Sequence, residues 1–309
     1  MPTNSVPAWT GTVRHGLVRC VALAWVAAGS VMACARPHAN GGTAAGGSGL
    51  TADAVAYTID AVRFGTLANF PVRSLVAGAD SARRIDVALM VWALRAANGQ
   101  TILVDAGFHR QKFVDQWKPR DYQLPSEALR RAGIDPDSVR DIVITHVHWD
   151  HADGVDLFPN ARIWLQREEF EYYVGPRGEA LNPAIDSVVA ALYRRLYRDG
   201  RVQLINGSDV EILPGVRVHT GGKHTVASQF VSVKLAGGET AVVASDNAYL
   251  YENVSDKRPI AQTLDSLSNL RAQARMLTLA TRPALVIPGH DPALFVRFPV
   301  PGNGVARIR

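Results

Sequence analysis

The sequence predicts an α/β fold of sheet layers covered by helices, and three observations predict it. Short β-rich apolar runs alternate with helical segments from Ala54 to about Phe298, and such a mixture buries its apolar faces by laying helices on sheets. Glycine turn pairs separate strands, as at Asn98-Gly99 and Gly237-Gly238. The stretch shows no internal repeat and no second low-complexity break, so it reads as one domain.

Val87 to Leu94 is a continuously apolar strand closed by Asn98-Gly99, and Thr101-Ile102-Leu103-Val104 pairs with it before Asp105-Ala106-Gly107 ends the run. Ser126 to Ala132 reads as a short helix stopped by Gly133. Ile142-Val143-Ile144 is a strand buried on both faces. Arg162 to Leu165 follows as a strand and Arg167 to Tyr173 as a helix; Ala184 to Tyr197 is amphipathic, with Val188, Leu192 and Leu196 on one face. Short strands are expected at Val202-Leu204, Val210-Ile212 and Val216-Val218, then a hairpin of Phe230-Leu235 with Ala241-Ala244. A helix from about Ile260 to Ala280 and a strand at Ala284-Ile287 complete the pattern.

The first fifty residues have a different character. Arg14 and Arg19 precede an apolar run from Cys20 to Val31, a length suited to a signal-peptide core and too short to span a bilayer. Val31-Met32-Ala33-Cys34 resembles the lipobox of bacterial lipoproteins, which implies removal of residues 1–33 and a lipid on Cys34. An ordinary secretory signal with an incidental cysteine is the alternative. Residues 34–52, rich in Gly, Ala and Ser, read as a flexible linker, leaving 53–309 as the catalytic domain. The expected location is therefore the periplasm or a membrane surface, with Cys34 as the only link to lipid.

Composition narrows the function. The 309 residues carry a formal charge of +5 with 20% charged residues, and no basic run interleaves with aromatics, so nucleic acid is not an expected partner. The two cysteines, Cys20 and Cys34, both precede the domain. A metal in the domain must therefore be held by nitrogen and oxygen.

Thr145-His146-Val147-His148-Trp149-Asp150-His151 supplies such donors directly after the buried strand. Zinc accepts imidazole and carboxylate, and a catalytic zinc keeps one position open for water. His146 and His148, two apart, can point to one side of an extended backbone. Asp150 and His151 then fall on the following turn, within reach of a second ion.

This string is similar to the His-x-His-x-Asp-His motif of the metallo-β-lactamase superfamily, and the resemblance runs from about Val55 to Phe298. It implies an αββα four-layer sandwich with metals at one edge of the two sheets, and Asp105-Ala106-Gly107 looks like the family's Asp-x-Gly turn. Three further ligands are implied, each at a strand end: His224, Asp246 and His290. The loop Thr220-Gly221-Gly222-Lys223-His224 has one residue more than the family's Thr-Pro-Gly-His and no proline. His219, the competitor, lies within a strand, where a structural role is expected. By the resemblance one ion takes His146, His148 and His224, the other takes Asp150, His151 and His290, and Asp246 bridges them. Zinc is the expected metal, two per chain, with iron, cobalt or manganese able to replace it.

Asp246-Asn247-Ala248-Tyr249 followed by Glu252-Asn253 resembles the N-acyl-homoserine lactone lactonases, as do Leu157 to Ala161 and Gln166 to Phe170. That resemblance implies ring opening of a small-molecule lactone by hydroxide held at the metals, with Tyr249 at the carbonyl oxygen and Asp150 passing a proton to the leaving alkoxide. Trp149 stands where a relative has an aromatic lining the substrate pocket. The alternatives are another hydrolase of this fold, acting on organophosphates, other esters or β-lactams, and a non-catalytic zinc-binding lipoprotein. Asp246 counts against the β-lactamases that lack a bridging aspartate, and His148 against diiron electron-transfer relatives, which carry a carboxylate there.

Overall fold

The computed structural model describes residues 55–300 and 304–309. The signal segment, Cys34 and the linker expected from sequence lie outside them. The elements, in chain order, are β1 (Tyr57–Pro71), β2 (Arg84–Ala96), β3 (Thr101–Val104), α1 (Gln111–Trp117), α2 (Pro125–Arg131), β4 (Asp141–Val143), α3 (Trp149–Ala152), β5 (Arg162–Gln166), α4 (Arg167–Tyr173), α5 (Ser187–Arg198) and β6 (Val202–Ile205). There follow β7 (Val210–Leu213), β8 (Val216–Thr220), β9 (Gln229–Lys234), β10 (Thr240–Ser245), α6 (Tyr251–Ser255), α7 (Ser266–Leu279), β11 (Val286–Pro288), α8 (Leu294–Arg297), β12 (Pro299–Val300) and β13 (Val305–Ile308).

Two mixed sheets result. One has eight strands in the order β12-β13-β1-β2-β3-β4-β5-β6; the other has five, in the order β11-β10-β9-β8-β7. Strands β3 to β6 run parallel, as do β10 and β11. Side-chain alternation on β2 assigns its two faces to different cores. Leu89, Val91 and Ala93 join the cluster that contains Phe113 of α1, Leu129 of α2, Phe170 of α4 and Val189 of α5. Met90, Trp92 and Leu94 join Phe230, Val231 and Val242 of the facing sheet, in a core that also takes in Ala272 and Met276 of α7. Helices, sheet, sheet and helix therefore stack as the expected αββα sandwich.

Four local readings change. The longest strand, β1, was not expected, because Asp60, Arg63 and Gly65 interrupt its apolar pattern. Asp60 is nonetheless fully buried, held by Arg95 of β2 and Arg307 of β13. Helix α7 starts at Ser266 rather than near Ile260, because the Asp265 carboxylate caps it by accepting from the backbone N–H of Leu267 and Ser268. In α5 the buried face is Val189, Leu192, Tyr193 and Leu196, whereas Val188 is 54% exposed; the Asp186 cap sets the start of the helix and with it that face. Asp150 and His151 lie in the short helix α3, not in an irregular turn.

Candidate metal centre

The strand ends of both sheets converge on one site. His146 and His148 follow β4, Asp150 and His151 sit in α3, His224 follows β8, Asp246 follows β10, and His290 follows β11. His146, His148, His224 and Asp246 bring one donor atom each within 4.8 Å of one another, and so do Asp150, His151 and His290. Asp246 faces both groups with different oxygens. Its Oδ2 lies 3.3 Å from His224 Nε2 and 3.7 Å from His146 Nε2, while its Oδ1 lies 3.0 Å from His290 Nε2 and 3.3 Å from His151 Nε2. Asp150 Oδ2 stands 3.5 Å from His151 Nε2 and 3.7 Å from His290 Nε2. All seven sequence-predicted residues are thus brought together, in two groups that Asp246 faces with different oxygens.

The residues behind the imidazoles decide which ring nitrogen faces the centre. The Nδ1 of His224 lies 2.8 Å from the Gln262 carbonyl, that of His290 2.9 Å from the Ala88 carbonyl, and that of His151 2.8 Å from Asp105 Oδ2. A carbonyl or carboxylate requires a donor, so each Nδ1 carries a hydrogen and each Nε2 is left to face the centre. His224 Nε2 then lies 3.2 Å from His146 Nε2 and 2.9 Å from His148 Nδ1. His151 Nε2 and Asp246 Oδ1 are buried with no hydrogen-bond partner. Divalent cations placed among these crowded nitrogen and oxygen donors would satisfy them. The donor set fits a pair of divalent ions.

Burial, then the neighbouring His151, His224 and His148, hold His146 well below the usual imidazole range. Burial also lowers His148, to about 3. Both are neutral ligands at ordinary pH. Tyr249 is raised well above the usual phenol range by burial and by the Asp246 and Asp150 carboxylates, so its hydroxyl keeps its proton.

The backbone is shaped to this convergence. Asp105, which follows β3, and Ser245, which ends β10, take the left-handed φ values of 61° and 47°, an uncommon conformation that concentrates at functional sites. Gly289 lies so close to the centre that a Cβ there would stand 2.8 Å from Asp246 Oδ1 and from the Ser245 backbone. The extra residue of the His224 loop is absorbed by Lys223 at φ 59°, with the Gly222 N–H donating to Asn247 Oδ1 at 2.6 Å. His219 stays outside the site: its ring contacts Asp209 and Ser232 and stacks on Phe230.

A cleft opens onto the centre. Its lining combines the polar residues His148, Asp150, Asp246, Tyr249, Gln262 and His290 with the apolar residues Leu67, Phe70, Leu75, Val87, Trp117 and Trp149. Trp117 and Trp149 stack with ring centroids 5.1 Å apart and planes 4° from parallel. Of these apolar residues sequence reasoning found only Trp149, inside the histidine motif; Leu67, Phe70, Leu75, Val87 and Trp117 come from separate segments with no shared motif. It also assigned no site role to Asp105, although a buried aspartate closing an apolar strand is a signal of one.

Comparison with known proteins agrees with this geometry. A sequence profile of the metallo-beta-lactamase superfamily matches residues 87–290. The N-acyl homoserine lactonase AttM of Rhizobium johnstonii is 27% identical over 182 residues, 56% of this chain and 65% of that protein. The N-acyl homoserine lactonase AiiA of Bacillus thuringiensis is 26% identical over 169 residues, 53% of this chain and 60% of that protein. The matched region thus spans less than two thirds of either relative. Among solved structures, a quorum-quenching N-acyl homoserine lactone lactonase superposes with a TM-score of 0.60 at 22% identity, covering 77% of this chain and 93% of that one.

Proposed function

The chain belongs to the metallo-β-lactamase superfamily, and from that premise we propose that it is a dinuclear metal hydrolase that opens the ring of N-acyl-homoserine lactones. The observation that carries the proposal is the mixed lining of the cleft. Tyr249 and Asp150 line it together with donor residues of both clusters and with apolar side chains that include Trp117 and Trp149. A lactone with an apolar acyl tail has both characters. The 26–27% identity to N-acyl homoserine lactonases supports the choice.

Two divalent cations, zinc by the donor chemistry, would supply Lewis acidity and an acidified water. The residues of the chain do the rest. The Tyr249 phenol donates to the carbonyl oxygen as it becomes an oxyanion, a hydrogen bond that strengthens with the developing charge. The water's hydroxide forms the new bond to the carbonyl carbon, and the ring carbon–oxygen bond breaks. Asp150, which faces the cleft with one oxygen near His151 and His290, takes the water's proton and delivers it to the leaving alkoxide. Trp117 and Trp149 hold the acyl tail and keep bulk water from it.

Assay of one zinc-loaded preparation against acyl-homoserine lactones, a paraoxon-like ester and nitrocefin tests this reading. Turnover of the lactones above the other two is expected. Preferential cleavage of the phosphoester or the β-lactam would replace the lactonase reading with that hydrolase class.

We further propose that the protein is exported and anchored through Cys34. The support is the apolar run and the Val31-Met32-Ala33-Cys34 sequence. The intact mass of membrane-extracted protein should show residues 1–33 removed and lipid added; a free Cys34 thiol on a soluble species excludes the anchor.

A further inference from the structure

Glu169 is fully buried in α4, one layer behind the centre. Its Oε1 accepts from the Val147 N–H at 3.2 Å and from Thr225 Oγ1 at 2.6 Å, and its Oε2 accepts from the Ala227 N–H at 2.8 Å. Val147 is the residue between His146 and His148, and Thr225 directly follows His224. One carboxylate therefore ties together the two loops that carry all three histidines of one cluster. None of its three hydrogen-bond partners carries a charge. Burial pushes this carboxyl up to about 7, an expensive placement for an acidic group, and it is retained where three donors from two chain segments converge.

We propose that Glu169 is a positioning residue that sets the spacing of His146, His148 and His224 by bracing their two loops, and so controls the affinity of that cluster for its ion. The proposal rests on the reading that the clusters hold metal.

The chemistry at position 169 is demanding. All three partners are donors, so the side chain must present an acceptor oxygen to each loop. A glutamine must turn its NH₂ toward one of the oxygens' donors, and an aspartate, one methylene shorter, cannot reach both loops at once. Loss of a group that orients metal ligands typically weakens metal binding by roughly 10–100-fold.

The test is zinc titration of the parent, Glu169→Gln, Glu169→Asp and Thr225→Val in competition with a chromophoric chelator, alongside the visible spectra of the cobalt(II) forms. The parent should bind two ions. Glu169→Gln and Glu169→Asp should each bind one ion as the parent does and the other roughly 10–100-fold more weakly, with part of the cobalt absorption changed. Thr225→Val removes only one donor and should weaken the same ion by less, with Thr225→Ser restoring it. Should the Glu169 variants fail to fold, the Thr225 pair decides the matter. Folded variants that bind both ions with parental affinity and an unchanged cobalt spectrum overturn the bracing role. A parent that binds no metal overturns the metal reading instead, so the two failures are distinct.

Discussion

The carboxylate of Asp105 reaches His151 with Oδ2 2.8 Å from Nδ1, and the same oxygen lies 2.9 Å from Thr145 Oγ1 and 3.1 Å from Ser245 Oγ. Its other oxygen accepts from the Thr145 N–H at 2.8 Å. Asp105 follows β3, Thr145 follows β4 and Ser245 ends β10, so one buried carboxylate joins strand ends from both sheets to a histidine of the centre. Asp105→Asn leaves an NH₂ facing either the Thr145 N–H or the His151 N–H. An unsatisfied buried donor costs about 1–3 kcal/mol. At about 2–4 °C per kcal/mol for a domain of this size, thermal melting should fall by several degrees, and zinc titration should show weaker binding at the His151 cluster. A variant with parental melting and metal affinity would make Asp105 dispensable.

Asp246→Asn should remove metal and turnover together. The two oxygens face opposite clusters, Oδ2 toward His224 and Oδ1 toward His290. An amide keeps one acceptor, so it can serve only one side, and it supplies no negative charge between two cations. Metal analysis of the purified variant is expected to give at most one ion per chain, with activity near background. Two ions in that variant would show that Asp246 does not bridge.

Chelation should destabilise the fold as well as inactivate it. Metal ions that bind only the native state stabilise it by mass action, by about 2.7 kcal/mol at a concentration 100-fold above Kd. Stripped protein should therefore melt roughly 5–10 °C below protein in excess zinc, and returning zinc should restore both melting and activity. Equal melting temperatures would separate the centre from the stability of the sandwich.

Part of the site was more legible in sequence than the frame that carries it: His146 to His151 form one string after a buried strand, whereas His224, Asp246 and His290 stand apart along the chain and were reached only through the resemblance to the family, not from a local signal. Strand β1 was invisible because its polar interruptions are satisfied from far away: Asp60 is neutralised by Arg95 and by Arg307, the latter 247 residues distant. Glu169 and Asp105 act through contacts to loops 22 to 140 residues away, and no pattern within a short window encodes those. The start of α7, by contrast, was readable: the Asp265 cap followed by Ser266 is a local signal that the apolar periodicity obscured.

Tyr249→Phe should separate catalysis from metal binding. The side chain lines the cleft beside Asp246 and His290, and the backbone holds it there: the His290 N–H donates to the Tyr249 carbonyl at 3.0 Å, and the Gly289 N–H to the Ala248 carbonyl at 2.9 Å. Those backbone bonds survive the substitution, and the ring still packs, so the position of β11 and of His290 is unaffected. The hydroxyl makes one long contact, 3.4 Å to His224 Nδ1, and that nitrogen already has the Gln262 carbonyl at 2.8 Å. Removing the hydroxyl therefore costs the donor set nothing, and zinc content should stay at the parental value. What is lost is one hydrogen-bond donor to the developing oxyanion, for which turnover of acyl-homoserine lactones should fall roughly 10–1000-fold. The loss should appear in kcat more than in KM, because the hydrogen bond matters most when the carbonyl oxygen carries charge. A Phe variant that opens lactones at the parental rate would detach Tyr249 from the chemistry, leaving the two His/Asp clusters as the only support for hydrolysis.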